Sequence, residues 1–463
     1  MASLLVGAVY TWAILATVDR VSVFSGDDVT TSYQARTLPL RTLLLAPIDV
    51  HTVPLHRVVT YALAQLSPLN DRAALGVMLT LHAASVWLLY RALQEIERSV
   101  ANAFVVACYA TFVHLGSLFT WWVAAVHRLP YLCCLGGALW AYVVFRRHPS
   151  LGRAGVIVAL LVAGFGFFEK AVFIPFVLLM VEANLRSTEP VKPDAWKALA
   201  ALHGTLLALG AAFLVAFRSV VNERMMGGTV TDLRYLAEYS RLSLSTLASA
   251  VVGQVDSGAW LGALVLVAVT VGACVVCRAN ILLFATGAAL VWASLIVTAL
   301  SSARMNLFGL FWTRCWRYYP DVMYVLAICL AIALARVSKA SFFRIMARSR
   351  NGWVLTAAAV AVLTLLARTS YVHGARAVLS DDKMSRSRAY LDNVRTGVRH
   401  LQDPNESPLF ADGMVPDYLQ FFRDGRARHR VLLVALGVEP RMTRPRRGVY
   451  RIDAEGHVVR WQP

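Results

Sequence analysis

Asp27 and Asp28 are adjacent carboxylates in Phe24-Ser25-Gly26-Asp27-Asp28-Val29-Thr30-Thr31-Ser32-Tyr33, the first polar stretch after an apolar opening run. Carboxylates at a low-dielectric boundary cost free energy unless they are paired or used, so the pair is a default functional candidate. Ser-Gly-Asp-Asp is equally good material for a solvated turn. Four further constellations stand out, and each also has an ordinary reading. His51-x-x-Pro54-x-His56-Arg57 could by itself place two histidines at the membrane interface. Trp121-Trp122, followed by His127-Arg128, could by itself form an aromatic belt. Phe168-Glu169-Lys170 lies between two apolar runs, a costly placement unless the two charges neutralise each other or are used. Arg317-Tyr318-Tyr319-Pro320-Asp321 places Arg317 and Asp321 four apart, the spacing of a helical salt bridge.

These residues need a frame, and composition describes it. The chain has 463 residues, 58% hydrophobic and 16% charged, with a mean hydropathy of +0.58. That apolar content is spread over too much length for one buried core and points to an all-α polytopic membrane protein. Apolar runs of spanning length fall at 1–18, 74–94, 100–119, 129–145, 154–168, 171–185, 198–217, 258–277, 279–300, 321–337 and 352–370, predicting about eleven transmembrane helices, of which the short 154–168 and 171–185, separated only by Glu169-Lys170, could instead be re-entrant or tilted. The first run lacks a basic leader and a small-residue cleavage site, so it is expected to be a membrane helix rather than a signal peptide.

The formal charge is +18, and five of the 45 basic residues are Lys, a bias expected of a GC-rich bacterial genome. If every run spans, Arg91, Arg98, Arg146, Arg147, Arg153, Arg186, Lys192, Lys197, Arg278, Arg336 and Lys339 share one side, the cytoplasmic one. Outer loops are then 19–73, 218–257 and 301–320, within a transmembrane domain of residues 1–370. Residues 371–463 form a small extracytoplasmic α+β region, with a β-like run at Arg430–Leu436 and strand-like pieces around Val449-Tyr450 and His457–Val459. Leu233, Leu236, Tyr239, Leu244 and Leu247 predict an amphipathic helix along the interface. The outer loops are themselves rich in Arg, including Arg36, Arg57, Arg128, Arg234 and Arg314. An Arg fork matches phosphate oxygens in two contacts, and snorkelling to headgroups is the structural alternative. No basic stripe with interleaved aromatics stands apart from the spans, so nucleic acid is not an expected partner. Cys274-x-x-Cys277 has no second half and reads as helix packing rather than a metal site.

The order of these features resembles the GT-C superfamily, multi-pass glycosyltransferases that use polyprenyl-phosphate sugars. The resemblance rests on the outer acidic pair, His51-x-x-Pro54-x-His56-Arg57, Phe119-Thr-Trp121-Trp122 through Pro130, Phe167-Phe168-Glu169-Lys170-Ala171 and Arg317-Tyr318, and covers roughly residues 20–330. It extends to a group of largely uncharacterised bacterial membrane proteins of the same layout. The resemblance implies that Asp27 or Asp28 acts as general base on an acceptor hydroxyl and that the other holds geometry. It further implies that Arg57, Lys170 and Arg317 meet the departing lipid phosphate, that Trp121 and Trp122 stack on sugar, and that His51 or His56 binds phosphate or acceptor. Glu169 and Asp321 complete the expected site.

Expected partners are a polyprenyl-phosphate sugar donor, an envelope glycan, lipid or protein acceptor, and the bilayer of a bacterial cytoplasmic membrane. No cofactor and no obligatory metal are expected, since only Asp27-Asp28 are adjacent hard ligands. Neither a P-loop nor a Gly-rich dinucleotide fingerprint occurs, consistent with a lipid-linked rather than nucleotide-linked donor. A transporter or lipid flippase with a relay at Glu169-Lys170, and a non-catalytic envelope scaffold, are the alternatives.

Overall fold

The computed structural model describes residues 24, 26–48, 51–110, 118–187, 189, 193–220, 230–251, 259–276, 280–300, 305–306, 309–314, 318–339, 382–401, 409–411, 413–416, 428–438, 440–443 and 449–460. The expected first and last spans (1–18 and 352–370), Arg317 and Cys277 lie outside the described residues.

Among the described residues, three short helices come first: α1 (Gly26–Thr37), α2 (Leu40–Leu45) and α3 (Pro54–Leu66). The bundle follows with α4 (Asp71–Ile96), α5 (Val100–Ala110), α6 (Trp122–Arg147) and α7 (Leu151–Phe167). A 3₁₀ turn (Glu169–Phe173) joins α7 to α8 (Ile174–Arg186). Then come α9 (Pro193–Val220), α10 (Leu233–Val251), α11 (Ala259–Val276), α12 (Asn280–Ala299) and α13 (Pro320–Lys339). Proline opens α3, α9 and α13 and follows the first residue of α8, where its missing N–H has no intrahelical partner to lose. Asn70 caps α4 by accepting the N–H groups of Arg72 and Ala73 at 3.0 and 3.2 Å, and Ser150 caps α7.

Among the described residues, five helices are long and apolar enough to cross a membrane, namely Asp71–Ile96, Trp122–Arg147, Ala195–Arg218, Asn280–Val297 and Pro320–Val337. The protein is thus a helical, membrane-embedded one. α8, at 13 residues, is about 20 Å long, shorter than the ~30 Å hydrocarbon layer. The expected run 171–185 is therefore a 3₁₀ turn plus a short helix rather than one full-length helix.

The α6 and α13 windows are each 78% buried, against about a third for the other three, so these two helices form the inside of the bundle. Glu95 near the end of α4 meets Arg147 at the end of α6 at 3.2 Å, so these 26-residue helices run side by side in the same direction. Arg336 near the end of α13 donates to the Asn184 carbonyl of α8 at 3.1 Å, adding two further helix ends to that side. The starts of α6 and α13 and the 169–173 turn gather at the opposite end. Close approach in the middle needs glycine: a Cβ on Gly136 of α6 would collide with the Tyr324 hydroxyl of α13 and reach 3.0 Å from Leu88 Cβ of α4.

Beyond the bundle lie α14 (Asp382–Arg399), α15 (His429–Ala435) and four three-residue strands, β1 (Leu409–Ala411), β2 (Arg441–Thr443), β3 (Tyr450–Ile452) and β4 (Val458–Arg460). The sheet order is β2-β1-β3-β4, with β1 parallel to β2 and β3, and β3 antiparallel to β4. The two late strands fall where the sequence places them, but the β-like run Arg430–Leu436 is helical. Its buried residues, His429, Leu432, Leu433 and Ala435, follow helical rather than alternating spacing, and this helix packs against α1. The tail and α1 therefore meet at the end of the bundle where α4 begins.

A polar strip at one end of the bundle as candidate functional site

The Asp27-Asp28 pair is not a solvated turn. Both residues stand in the first turn of α1, Asp27 half-buried and Asp28 with no exposed surface. Asp28 Oδ1 accepts the backbone N–H of Val123 at 2.8 Å, across 95 residues of sequence. Trp121, the residue that precedes α6, supplies no side-chain cap. Asp28 thus does from another helix what an N-cap residue does locally, satisfying an early N–H and placing negative charge at the positive end of α6.

One helical turn after Val123, about 6 Å along α6, stands His127. Its ring stacks on His56 with centroids 4.3 Å apart and lies 4.9 Å from His51. His51 Nδ1 is 2.8 Å from Glu169 Oε1. Glu169 and Lys170 therefore do not neutralise each other, the ordinary reading of the pair. Glu169 turns to His51, whereas Lys170 Nζ donates to Asp321 Oδ2 at 2.9 Å and to Ser294 Oγ at 3.1 Å, and Ser294 Oγ donates to the same Asp321 oxygen at 2.8 Å. The 3₁₀ turn makes this possible, because it sends adjacent side chains to different neighbours. Asp321, in the first turn of α13, is held by Lys170 of a distant segment; Arg317, its expected i,i+4 partner, lies outside the described residues.

Arg128 inserts between two rings, with its guanidinium carbon 5.0 Å from the Phe168 centroid and 4.9 Å from that of Tyr318. Tyr131 packs edge-on against Phe168. Arg57 is fully buried and donates to the carbonyls of Ala46 and Pro47 at 3.1 and 2.7 Å, pinning the loop between α2 and α3. Burial brings Arg57 down to about 10, which leaves it cationic at neutral pH. His56 is held down to about 3, chiefly by burial and then by the neighbouring Arg57, so it is a neutral imidazole under physiological conditions. Trp122 is fully buried, with its ring 6.4 Å from Phe24, while Trp121 keeps a sliver of exposure.

Asp28, His51, His56, Trp121, Trp122, Glu169, Lys170 and Asp321 are thereby gathered around the starts of α6 and α13, with Asp27 beside Asp28. Sequence reasoning names His127-Arg128 as a cluster without ranking it among the site residues, yet His127 is the hub of the histidine contacts. Ser294 escapes it; the signal for this residue is a hydroxyl within the apolar α12 run. Among the described residues, the buried atoms Arg57 Nη1, Trp122 Nε1, His127 Nε2 and Asp321 Oδ1 make no hydrogen bond. A buried polar atom left in that state costs about 1–3 kcal/mol, so the strip holds unused binding capacity.

A second polar cluster closes the other end of the bundle. Glu182 of α8 accepts from Tyr142 at 2.8 Å and from Arg146 and Arg186 at 2.9 Å, and the Tyr142 hydroxyl is 2.9 Å from His203 Nε2. Both Glu182 oxygens have partners there, while His203 Nδ1 is buried without one. Fold and strip together define a helical membrane-embedded protein with a polar, partly unsatisfied end. Searches against protein-family models and curated proteins find no match for this chain.

Proposed function

We propose that this protein transfers a sugar from a polyprenyl-phosphate donor to an envelope glycan, lipid or protein acceptor on the outer face of a bacterial cytoplasmic membrane. On this reading the chain crosses the bilayer about eleven times and carries its tail outside. The observation that carries the proposal is the convergence of a carboxylate pair with buried histidines and cations on one end of the bundle, several of their polar atoms lacking partners.

Asp27 is the base and Asp28 the positioning residue. Asp28 is committed to the start of α6, whereas Asp27 next to it retains accessible surface. The Asp27 carboxylate takes the proton of the acceptor hydroxyl as that oxygen bonds to the anomeric carbon. The bond from that carbon to the lipid phosphate oxygen breaks with its electron pair, and configuration inverts. Negative charge growing on the departing phosphate needs preorganised cations and donors. Arg128 and the orphaned Arg57 Nη1 and His127 Nε2 are suited to that task, while Lys170 acts one step back by holding Asp321 and the start of α13.

Glycan and lipid-intermediate profiling tests this in cells carrying wild type, a deletion, Asp27→Asn or Asp28→Asn at matched membrane levels. Deletion and Asp27→Asn are expected to lose one sugar from an envelope glycan, lipid or protein and to accumulate its lipid-phosphate donor. If Asp27→Asn behaves as wild type while deletion has an effect, the transferase reading fails and a transport or scaffold role replaces it.

A further inference from the structure

A cavity of about 510 Å³ lies where the tail meets the bundle, away from the strip just described. It is lined by the loop and first turn 66–72, by one face of α14 and by Leu436 and Val438 just after α15. Its polar lining is dominated by guanidinium groups: Arg72 from α4 and Arg388, Arg395 and Arg399 from α14, set against Asp71 and Asp392. Residues 388, 392, 395 and 399 recur at helical spacing, so α14 presents them along one stripe.

Arg388 and Arg395 share the two acids. Asp392 is shared by Arg388 at 3.0 Å and Arg395 at 2.8 Å, and Arg395 reaches across to the buried Asp71 at 3.3 Å. Arg395 Nη2 is nonetheless buried without a hydrogen-bond acceptor. Arg399, exposed at the end of the stripe, has no acidic partner among the described residues. The apolar rim, formed by Leu66 (85% exposed), Pro68, Leu436 and Val438, borders the start of a helix long enough to enter a membrane.

We propose that this cavity binds a phosphate oxyanion, with the Arg395 and Arg399 guanidinium groups as its donors. Guanidinium forks match phosphate oxygens in two contacts, and an oxyanion supplies the acceptor that Arg395 Nη2 lacks. The phosphate can belong to an anionic lipid headgroup, whose chain the apolar rim would accept, or arrive free in solution. α1 links this site to the strip: a Cβ added to Gly437, beside the cavity, would lie 3.5 Å from the Arg36 guanidinium, and Arg36 stands two turns along α1 from Asp28.

The test uses the full-length protein with Arg399→Gln, and Arg386→Gln as control, which removes the same charge from an exposed position of α14 outside the cavity. Phosphatidylglycerol retention in phosphatidylcholine nanodiscs is read by native mass spectrometry, and inorganic phosphate binding by calorimetry in neutral detergent. Arg399→Gln is expected to weaken binding about tenfold, with Arg386→Gln close to wild type. Binding of both probes assigns the site to the phosphate group alone; binding of the lipid only assigns a role to the apolar rim. Equal losses in the two variants, meaning diffuse surface attraction, or no binding of either probe by wild type overturns the proposal. Neither Arg belongs to the strip proposed for transfer, so sugar transfer at saturating donor is expected to survive Arg399→Gln whichever way binding falls.

Discussion

Replacing Asp28 separates capping from chemistry. In Asp28→Ala the Val123 N–H loses its acceptor inside the protein, at a helix start whose preceding residue, Trp121, offers no side-chain substitute. Loss of an N-cap costs about 1 kcal/mol, and an unsatisfied buried N–H about 1–3 kcal/mol, two views of largely the same deficit. Loss of a carboxylate from a partly buried helix N-terminus adds up to ~2 kcal/mol. Asp28→Ala is therefore expected to destabilise by about 2–4 kcal/mol, and Asp28→Asn, which keeps an acceptor oxygen, by about 1 kcal/mol. Reversible unfolding from neutral micelles by added sodium dodecyl sulfate, followed by far-UV circular dichroism, gives both values. Equal losses for Ala and Asn, or an Ala loss under about 1 kcal/mol, would refute the capping argument. Because the Asn variant retains the α6 start, it should also retain much of any transfer activity that Asp27→Asn abolishes.

Lys170→Met leaves Asp321 as an uncompensated buried charge and is expected to cost about 3–5 kcal/mol, whereas Lys170→Met with Asp321→Leu recovers most of the loss in the same unfolding assay. His56, held at about 3 when folded against 6.5 for a freely solvated histidine, binds more protons when unfolded. Its contribution is thus full above about pH 6.5 and is lost as the pH falls toward 3, so His56→Asn should flatten the stability-against-pH slope there by up to ~1.4 kcal/mol per pH unit. Gly136→Ala forces α6 away from Tyr324 of α13 and Leu88 of α4, with an expected cost of about 1–3 kcal/mol by the same titration.

Runs of apolar residues are sufficient to announce membrane helices at 74–94, 129–145, 198–217, 279–300 and 321–337, because a bilayer imposes length and hydropathy on each helix separately. Adjacent Asp27-Asp28, the His51/His56 pair and Glu169-Lys170 are legible as costly residues for the same one-dimensional reason. Partner choice is not legible, since hydrogen bonds are made in space. Asp28 reaches Val123 over 95 residues and Lys170 reaches Asp321 over 151, and no local pattern encodes either contact. Tertiary packing likewise makes Arg430–Leu436 a helix where a strand is expected, because packing against α1 demands one apolar face from a run whose composition suits either state. Residue order alone dictates which segments can enter the membrane and which polar residues will need partners there. The partners they find are settled by the folded chain, because burial cost belongs to single residues whereas its compensation belongs to pairs brought together by the bundle.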